Sequence, residues 1–451
     1  MATPIITTRI LRRLLSSGVH ARAERLLARI HPADLGPMLS TLTPDETRLV
    51  IDMLFRQRRA ASTLKELPAE LLPQIYESVS DDRLAAVLAR LEVDDMVELV
   101  DGVPEERRDG VVEKLPDTKR EELLKAELYP PGSAGHFMTT TFVGLDEKMS
   151  AQEAIDSIRG SAGETSESVL YLYVIDDAKH LQGVVPIRRL VAAPSSTPVS
   201  QIMIRDPVFT HLEADQEEVA QLVARYDLLA IPVCDIDGTM MGLITVDDVI
   251  DVITEEATED MYHLAGLPDE ERVFTSTTLS IRKRLPWMLM NLIAISLAAA
   301  VVGLFGRTLE QVIALAAFLP VVAGMGGNSG IQSLTIVTRA IALGELEFST
   351  GMRTIGKEFV VSLTIGAATG VIAGVIAWLW QGSFYLGSLL FISLVLTMAI
   401  AGLLGAAVPL ALKALRQDPA LGSGVIVTTL TDAFGFFTFL GIATLLLDKL
   451  A

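Results

Sequence analysis

The chain of 451 residues has few of the side chains that form disulfides or bind soft metals. It contains one cysteine, Cys234, and six histidines. A single cysteine excludes a disulfide framework. The absence of clustered cysteine and histidine argues against a zinc or copper site. Any metal is therefore expected to be a hard cation bound by oxygen.

Positive charge is also scarce. The 37 lysines and arginines face 56 acidic residues, so the formal net charge is −19. Binding a nucleic acid backbone needs clustered positive charge, so we expect no nucleic acid partner, whereas cations are favoured. The sequence has no Walker loop, nucleophile elbow or kinase motif. We therefore expect no enzyme activity.

The excess acid is confined to one part of the chain. Residues 1–287 carry 49 acidic and 30 basic residues, whereas residues 288–451 carry seven of each.

The N-terminal stretch, residues 1–27, has no acid before Glu24 and contains several arginines, a composition also found in transit peptides. An amphipathic first helix of a soluble domain is the favoured interpretation. Because no apolar signal core follows, the N-terminus is expected to stay in the cytosol.

Residues 1–130 predict an all-α, superhelical N-terminal domain. Leucine recurs at helical spacing, and each helix is expected to begin at a Pro or Asp turn signal. The signals are "HPADL", "LTPDE", "LPAEL", "VSDDR", "LEVDD", "VPEER" and "LPDTK". The segment "YPPGSAG", residues 129–135, marks the domain boundary.

Residues 136–254 contain a two-fold repeat. Each copy predicts strand, helix, strand, turn, strand and helix, with Gly183 and Gly242 as matching turn glycines. The stretch "DIDGTMMGLITVDDVI" and the repeat resemble a tandem pair of CBS domains, at residues 131–200 and 201–254. Such pairs often sense an adenine nucleotide such as ATP between the copies. A scaffold with an empty cleft is the alternative.

The C-terminal part predicts a membrane domain. Residues 255–285 predict one connecting, or plug, helix, and residues 286–451 predict five spans in the lipid bilayer, each about 20 residues or longer. The spans are expected at 287–305, 311–337, 359–380, 386–412 and 424–447. Lysine and arginine before the first span and in alternate loops place the N-terminus in the cytoplasm and the C-terminus outside. A multi-pass protein of the cell (inner) membrane is expected.

Asp432 is an ionisable residue in the middle of the fifth span. A charge at the bilayer centre costs about 2.5–3.5 kcal/mol on insertion scales and by default marks an ion pathway. Thr428, Thr429 and Gly435 lie on its helix face. The alternative is a protonated aspartate that forms a hydrogen bond with another helix.

The second span contains "PVVAGMGGNSGIQS". Its glycines and Pro320 predict an interrupted helix whose carbonyls, with the amides of Asn328 and Gln332, line a pore. Gly326 and Gly327 are included in that predicted lining. Close helix packing is the other explanation of glycines in a span.

One carboxylate per chain is a small site for a divalent ion. A two-fold homodimer would bring two copies of Asp432 to one axis. Mg²⁺ keeps several waters and is typically held by one or two carboxylates, whereas Ca²⁺ prefers more direct oxygen ligands. The residues thus favour Mg²⁺.

Residues 213–260 contain 14 acids against one basic residue, Arg225. A solvated acidic face is the ordinary interpretation of such a run. With "LEVDDMVELVD", residues 91–101, as a second acidic surface, divalent cations would bridge the two and relieve their repulsion. That predicts a switch which responds to cation concentration.

The whole chain resembles the MgtE family of magnesium channels. The resemblance rests on "SAGHFMTT", "DQEEVAQLVARYD", "TVDDVIDVITEEATED", "GMGGNSGIQS" and "DPALGSGVIVTTLTDAFGF". It implies a homodimeric Mg²⁺-selective channel, closed by cytosolic Mg²⁺, with Asp432 and Thr428 at the pore ion. It also implies that regulatory Mg²⁺ binds at Asp94, Glu98, Asp215, Glu217, Asp227, Asp248, Asp251, Glu256, Glu259 and Asp260.

Two other functions stay open. In a CBS-regulated secondary transporter of divalent cations, Asp432 would carry a proton or a co-transported ion. In a membrane-anchored nucleotide sensor there would be no transport, but five spans with a buried aspartate disfavour that function. The fold class expected in every case is a multidomain α and α/β membrane protein.

Overall fold

The computed structural model describes residues 4–67, 71–161, 171–268, 271, 275, 277–346 and 348–450. The chain forms two compact units, Met1–Ile253 and Thr254–Ala451. The first unit contains short helices followed by two small sheets. The second contains the long apolar helices.

The first unit begins with an all-helical region. The helices in its described part are α1 (Pro4–Ser16), α2 (His20–Leu27), α3 (Leu35–Leu39), α4 (Pro44–Arg56), α5 (Ala60–Leu64), α6 (Leu72–Ser78), α7 (Asp81–Leu88), α8 (Val93–Asp101), α9 (Glu105–Val112) and α10 (Asp117–Ala126). Their apolar faces share one core. Near its centre the fully buried Tyr76 donates a hydrogen bond to the carbonyl of Leu99, 2.7 Å away.

The predicted helix starts are confirmed wherever those residues are described. At α4, the side chain of Thr43 accepts from the amide of Glu46, and the Glu46 carboxylate accepts from the amide of Thr43. This capping box, with Pro44 in the first turn, satisfies amides that have no partner inside the helix. The predicted start at "LPAEL" lies partly outside the described residues.

The two sheets repeat one arrangement. The first contains β1 (Gly144–Leu145), β2 (Tyr171–Ile175), β3 (Leu181–Pro186) and β4 (Ile204–Arg205), and the second contains β5 (Thr210–His211), β6 (Ala230–Cys234) and β7 (Met240–Thr245). In each sheet a short strand pairs in parallel with the next, which then pairs antiparallel with a third. The helices around them are α11 (Ala134–Phe137), α12 (Ala151–Ser161), α13 (Ile187–Ala192), α14 (Val199–Ile202) and α15 (Gln216–Tyr226). The repeat predicted from the sequence is present.

The prediction that Gly183 and Gly242 are turn glycines is wrong. Both lie inside strands, β3 and β7. A Cβ on Gly183 would lie 2.8 Å from the carbonyl oxygen of Ile204, and one on Gly242 would press on the carbonyl of Thr139. Glycine is needed at both places because a neighbouring backbone passes over the strand.

The connecting segment also differs from its prediction as one helix over 255–285. Helix α16 (Val246–Ala265) begins earlier and contributes to both units, and Gly266 follows it with φ +70°. That left-handed conformation, which glycine adopts readily, ends the helix. Part of the predicted segment lies outside the described residues.

The second unit contains five helices, within its described part, that are long and apolar enough to cross a membrane. The helices of this unit after α16 are α17 (Thr277–Leu304), α18 (Gly306–Gln311), α19 (Leu319–Ala342), α20 (Phe348–Gln381), α21 (Phe384–Ala414), α22 (Ser423–Leu445) and α23 (Leu447–Leu450). A 3-10 turn, Ile313–Phe318, leads into α19. The number of spans agrees with the prediction.

The glycines of α19 do not interrupt it, contrary to the prediction. The helix is continuous from Leu319 to Ala342, and Pro320 lies in its first turn, where its missing amide proton costs nothing. A Cβ on Gly326 would lie 2.8 Å from the methyl of Thr397 on α21, and one on Gly330 would lie 2.7 Å from Val427 on α22. These two glycines are therefore places where α19 meets its neighbours closely.

Helix α21 packs against α19 and α20 through glycines of its own. A Cβ on Gly405 would lie 2.9 Å from the Cβ of Ser333 and would press on the carbonyl oxygen of Gly330. A Cβ on Gly402 would lie 2.8 Å from the carbonyl oxygen of Glu358. Backbone obstructs the added atom in both cases, so the helices would have to separate.

Replacement of Gly405 by alanine is therefore expected to destabilise the second unit by about 1–3 kcal/mol, the usual effect of overpacking. Gly356→Ala on α20 is the matched control. Its added Cβ meets no atom within 4 Å, and alanine favours a helix by about 1 kcal/mol. The measurement is the thermal unfolding midpoint of both variants in one detergent. Equal midpoints would contradict the close packing described here.

Candidate functional site

Asp432 lies in the middle of α22 and is half-buried. In the part of the chain that the structure describes, no hydrogen bond or ion pair reaches its carboxylate. The preceding residue, Thr431, is buried, and so is Gly435 one turn later. Among the described residues, the carboxylate therefore has no ionic partner, although buried residues flank it on its helix.

The hydroxyls of Thr428 and Thr429, before Asp432, donate hydrogen bonds to carbonyls of their own helix. Thr428 donates to the carbonyl of Gly424 at 2.9 Å, and Thr429 donates to that of Val425 at 2.6 Å. Each hydroxyl oxygen keeps its acceptor capacity. One turn of α22 thus presents hydroxyl oxygens and a carboxylate, which are ligand types that suit a hydrated hard cation or its waters.

The predicted pore-lining residues of α19 differ in how far they are exposed. Asn328 and Gln332, one turn apart, are exposed on the single chain. Gly327 is half-buried with open space where a Cβ would be, whereas Gly326 is buried against Thr397. The two amides form an exposed polar stripe on α19, and lipid alone would solvate that face poorly.

The same helix is in contact with the Asp432 segment. A Cβ on Gly326 would lie 3.9 Å from the Cβ of Thr431, the residue before Asp432. One turn on, the position of Gly330 meets Thr431 at 3.4 Å as well as Val427. Helices α19 and α22 therefore cross at the level of the carboxylate.

In the first unit, two acidic surfaces meet. Burial, and then the nearby carboxylate of Asp248, raises the pKa of Asp94 on α8 to about 8. Burial also raises the pKa of Asp248 on α16 to about 6, although a 2.6 Å hydrogen bond from Thr245 acts against the shift. Atom Oδ1 of Asp94 is buried without a hydrogen-bond partner among the described residues. The fold thus holds two carboxylates together with little to neutralise them.

Three further acids in this contact, Glu66, Asp95 and Asp247, were not predicted as site residues from the sequence. Asp95 pairs with Lys65 at 3.3 Å, yet burial still raises its pKa, and Asp247 contributes to that rise. The pKa of Asp251 is raised by burial and by the charges of Glu66 and Asp247. Asp95 and Asp247 are the sequence neighbours of Asp94 and Asp248. Paired acids in "LEVDD" and "TVDDV" are the signal that could have identified them.

The other predicted regulatory residues of the first unit lie on α15 and α8. Asp215 caps the first turn of α15 by accepting from the amide of Glu217 at 2.9 Å. Asp227 ends the same helix in a left-handed conformation, so about 17 Å of helix separates the two aspartates. Glu98 is exposed on α8.

The second unit contains the remaining predicted residues, Glu256, Glu259 and Asp260, all half-buried on α16. Burial and then the charge of Asp418 raise the pKa of Asp260, while His263 lowers it. Asp418, which precedes α22, lies 2.8 Å from Nδ1 of His263. The sequence analysis missed Asp418, although it opens the "DPALGSG" motif.

In the described ranges, no three or more His, Cys, Asp or Glu side chains are arranged so that they could hold a metal ion directly. A pair of carboxylates suits Mg²⁺, because that ion is commonly bound through one or two carboxylates and retains its waters.

Known proteins resemble the chain along its length. The family profile described as the MgtE divalent cation transporter matches residues 319–442, the MgtE intracellular N domain matches 30–132, and the CBS domain matches 199–255. The magnesium transporter MgtE of Bacillus subtilis is 33% identical over 452 residues, which cover 92% of this chain and 100% of that protein. The chain belongs to the MgtE family of magnesium transporters. The MgtE of Thermus thermophilus is also 33% identical, over 97% of this chain and 98% of its own.

Two solved structures match the cytosolic part of an MgtE protein. The soluble part of a magnesium transporter aligns with a TM-score of 0.51 and 26% identity, over 56% of this chain and 99% of its own. The cytosolic domain of the Mg²⁺ channel MgtE in complex with ATP aligns with a TM-score of 0.51 and 31% identity, over 54% and 99%. These matches agree with the fold of the helical region and the CBS domains, while the second unit adds five candidate membrane helices.

The contact between Asp94 and Asp248 is expected to weaken as pH rises. An acid whose pKa is raised in the folded state favours folding only while protonated. Stability is therefore greatest below the ordinary pKa near 4 and falls as pH rises through about 6 and then 8. In the Mg²⁺-free full-length protein, hydrogen exchange at α8 and the start of α16, corrected for intrinsic rates, should rise by at least about tenfold between pH 6 and 8.5, the effect of one pKa unit.

Added Mg²⁺ should suppress this rise, and Asp94→Asn should abolish it. Asp82→Asn on α7 is the control, because the side chain of Asp82 is 79% exposed. Exchange in the Mg²⁺-free wild type that did not vary with pH would show that the two carboxylates do not repel.

Proposed function

We propose that this MgtE-family chain is a Mg²⁺-selective channel for magnesium uptake, and that permeating Mg²⁺ passes Asp432. The observation that carries the proposal is the half-buried carboxylate in the middle of an apolar helix, without an ionic partner in the described chain. A carboxylate in a span is stabilised by a cation or by water. The threonine oxygens of the same turn add ligands or second-layer acceptors for a hydrated ion.

A homodimer completes this site in our proposal. One carboxylate attracts a divalent ion weakly, whereas a two-fold axis would double the carboxylates and the amide stripe together. Asn328 and Gln332 are exposed on the single chain, where lipid could not form hydrogen bonds with them. A second copy around a water-filled path would give these amides polar surroundings.

Mg²⁺ on the cytosolic side closes the channel in this proposal. Asp94 with Asp248, and Asp260 with Asp418, are pairs of like charges that a bound Mg²⁺ would neutralise. Helix α16 contains Asp248 near its start and Asp260 near its end, so it links the two sites along one backbone. The other regulatory ligands that we propose are Glu98, Asp215, Glu217, Asp227, Asp251, Glu256 and Glu259.

The proposed topology has the N-terminus in the cytoplasm and the C-terminus outside the cell membrane. Arg339, Arg353 and Lys357 lie in the adjoining end regions of the second and third candidate spans. Lys413 lies in the last turn of the fourth span, and Arg416 lies between the fourth and fifth. Basic residues favour the cytosolic side.

We also propose that the CBS pair binds an adenine nucleotide. The two sheets form the repeat that such pairs share, and the related solved cytosolic domain is described in complex with ATP. Calorimetric titration of the full-length protein with ATP tests this, and the absence of heat at millimolar ATP would contradict it.

Replacement of Asp432 by alanine is expected to lower Mg²⁺ flux into proteoliposomes at least about tenfold, since ~1.4 kcal/mol of lost ion stabilisation gives that factor. The flux is followed with an internal Mg²⁺-sensitive dye at equal pH on both sides. Asp448→Ala is the control, because Asp448 is exposed beyond α22.

Wild-type flux through Asp432→Ala would refute the pore assignment. Mg²⁺ movement driven by a pH gradient alone would instead favour the alternative, a proton-coupled secondary transporter of divalent cations.

Asp248→Ala is expected to raise the internal Mg²⁺ concentration at half-inhibition by about tenfold, the factor for ~1.4 kcal/mol, without lowering the maximal flux. The variant removes one carboxylate of the pair that the regulatory ion would neutralise. Asp237→Ala, an exposed acid in the same CBS copy, is the matched control. An unchanged half-inhibition value would exclude Asp248 from the sensor.

A further inference from the structure

Glu358 is a buried carboxylate on α20 that the ion path described above does not use. It is 3% exposed and lies inside the candidate span Thr350–Gln381. Its distance from Gln381 along the helix is about 34 Å, slightly more than the ~30 Å hydrocarbon core. Glu358 therefore lies near the membrane boundary, at the end of the helix opposite Trp378 and Trp380. A carboxylate buried there needs a specific partner.

Two side-chain hydrogen bonds, one turn apart, join α19 and α20 at this level. Ser333 donates a 2.9 Å hydrogen bond to Oε2 of Glu358, and one turn away Ser329 donates to Ser362 at 3.2 Å. The three serines are at most 6% exposed. We name these four residues the serine–glutamate ladder. The ammonium of Lys357, 3.4 Å from Oε1 of Glu358, belongs to an exposed side chain and supplies the counter-charge.

The ladder holds α19 on a face next to its contact with α22, because Ser333 lies seven residues, or about 20° around the helix, from Gly326. Ser329 and Ser333 immediately follow Asn328 and Gln332, and adjacent residues of a helix differ by about 100° in direction. Fixing the direction of the serines therefore fixes the direction of the amide stripe. Close beside these serines, Gly326 and Gly330 bring α19 against α22.

An acceptor oxygen on α20 suits this task, because the Ser333 hydroxyl has one proton to donate and Glu358 accepts it. Ser333 has a rigid surrounding, because Gly405 of α21 lies against its Cβ. The serine hydroxyl thus has little freedom to find another acceptor.

We propose that Glu358 is a positioning residue for ion permeation, which acts through Ser333 to fix the direction of the polar stripe of α19, Asn328 and Gln332. This inference rests on the proposed function of the Asp432 site. The carboxylate itself does not meet the permeating ion.

The test compares Ser333→Ala, Glu358→Leu and Glu358→Gln with the control Ser393→Ala. Ser393 on α21 has a fully buried hydroxyl without a hydrogen-bond partner among the described residues, so its loss matches Ser333→Ala in size and burial. Mg²⁺ flux per folded protein is measured in proteoliposomes over a range of external Mg²⁺, and again with Co²⁺ as competitor.

Ser333→Ala and Glu358→Leu should raise the half-saturating Mg²⁺ concentration about tenfold, a factor that corresponds to ~1.4 kcal/mol, and should weaken the preference for Mg²⁺ over Co²⁺. Glu358→Gln should recover most of the wild-type value, because its amide oxygen still accepts from Ser333. A role in folding alone would lower the amount of active protein and leave half-saturation and selectivity unchanged.

The inference would be overturned if Ser333→Ala had the same half-saturating Mg²⁺ concentration and the same selectivity as Ser393→Ala. Ser333→Ala retains the Glu358 carboxylate, so it still tests the inference if Glu358→Leu fails to fold. The proposed function fails separately, through wild-type Mg²⁺ flux in Asp432→Ala. Loss of flux in Asp432→Ala together with unchanged kinetics in Ser333→Ala and Glu358→Leu would support the proposed function and exclude the ladder.

Discussion

A polar group inside a membrane must meet another polar group, water or an ion, and this constraint organises the second unit. Thr428 and Thr429 meet carbonyls of their own helix, and Glu358 meets Ser333 across a helix boundary. For Asp432 the described chain supplies no such partner. A hydrated cation would supply a partner for the Asp432 carboxylate, and a second copy of the chain would surround that site with further polar groups.

The first unit uses the same electrostatics outside the membrane. Its fold holds Asp94 beside Asp248, and burial makes their ionisation unfavourable, so the contact is weakest when both are charged. A bound divalent cation would attract both carboxylates, so their ionisation would then stabilise the contact. The pair needs no preformed cluster of three ligands, because Mg²⁺ keeps part of its water shell. Helix α16 gives such a local change a direct covalent route, since the chain continues from Asp248 to Asp260.

Local features were predictable from the sequence, while contacts between distant segments were not. The capping signal at Thr43 and the strand repeat act within a few residues, so the pattern specifies them directly. The glycines of α19 were visible, but their effect depends on Thr397 and Val427 in other helices, and the predicted interruption was wrong. Glu358 escaped notice because it directly precedes an apolar run and its partner Ser333 lies 25 residues away.

The most direct test of the central claim is the reversal potential of the current carried by the purified protein in a planar bilayer. With a tenfold Mg²⁺ gradient and equal pH, we expect a current that reverses at the Mg²⁺ equilibrium potential, about 30 mV, since the ion carries two charges (59 mV per decade for one charge). An imposed pH gradient should leave this value unchanged, and Asp432→Asn should remove the current. A reversal potential that follows the proton gradient, or an undiminished current in Asp432→Asn, would contradict the account.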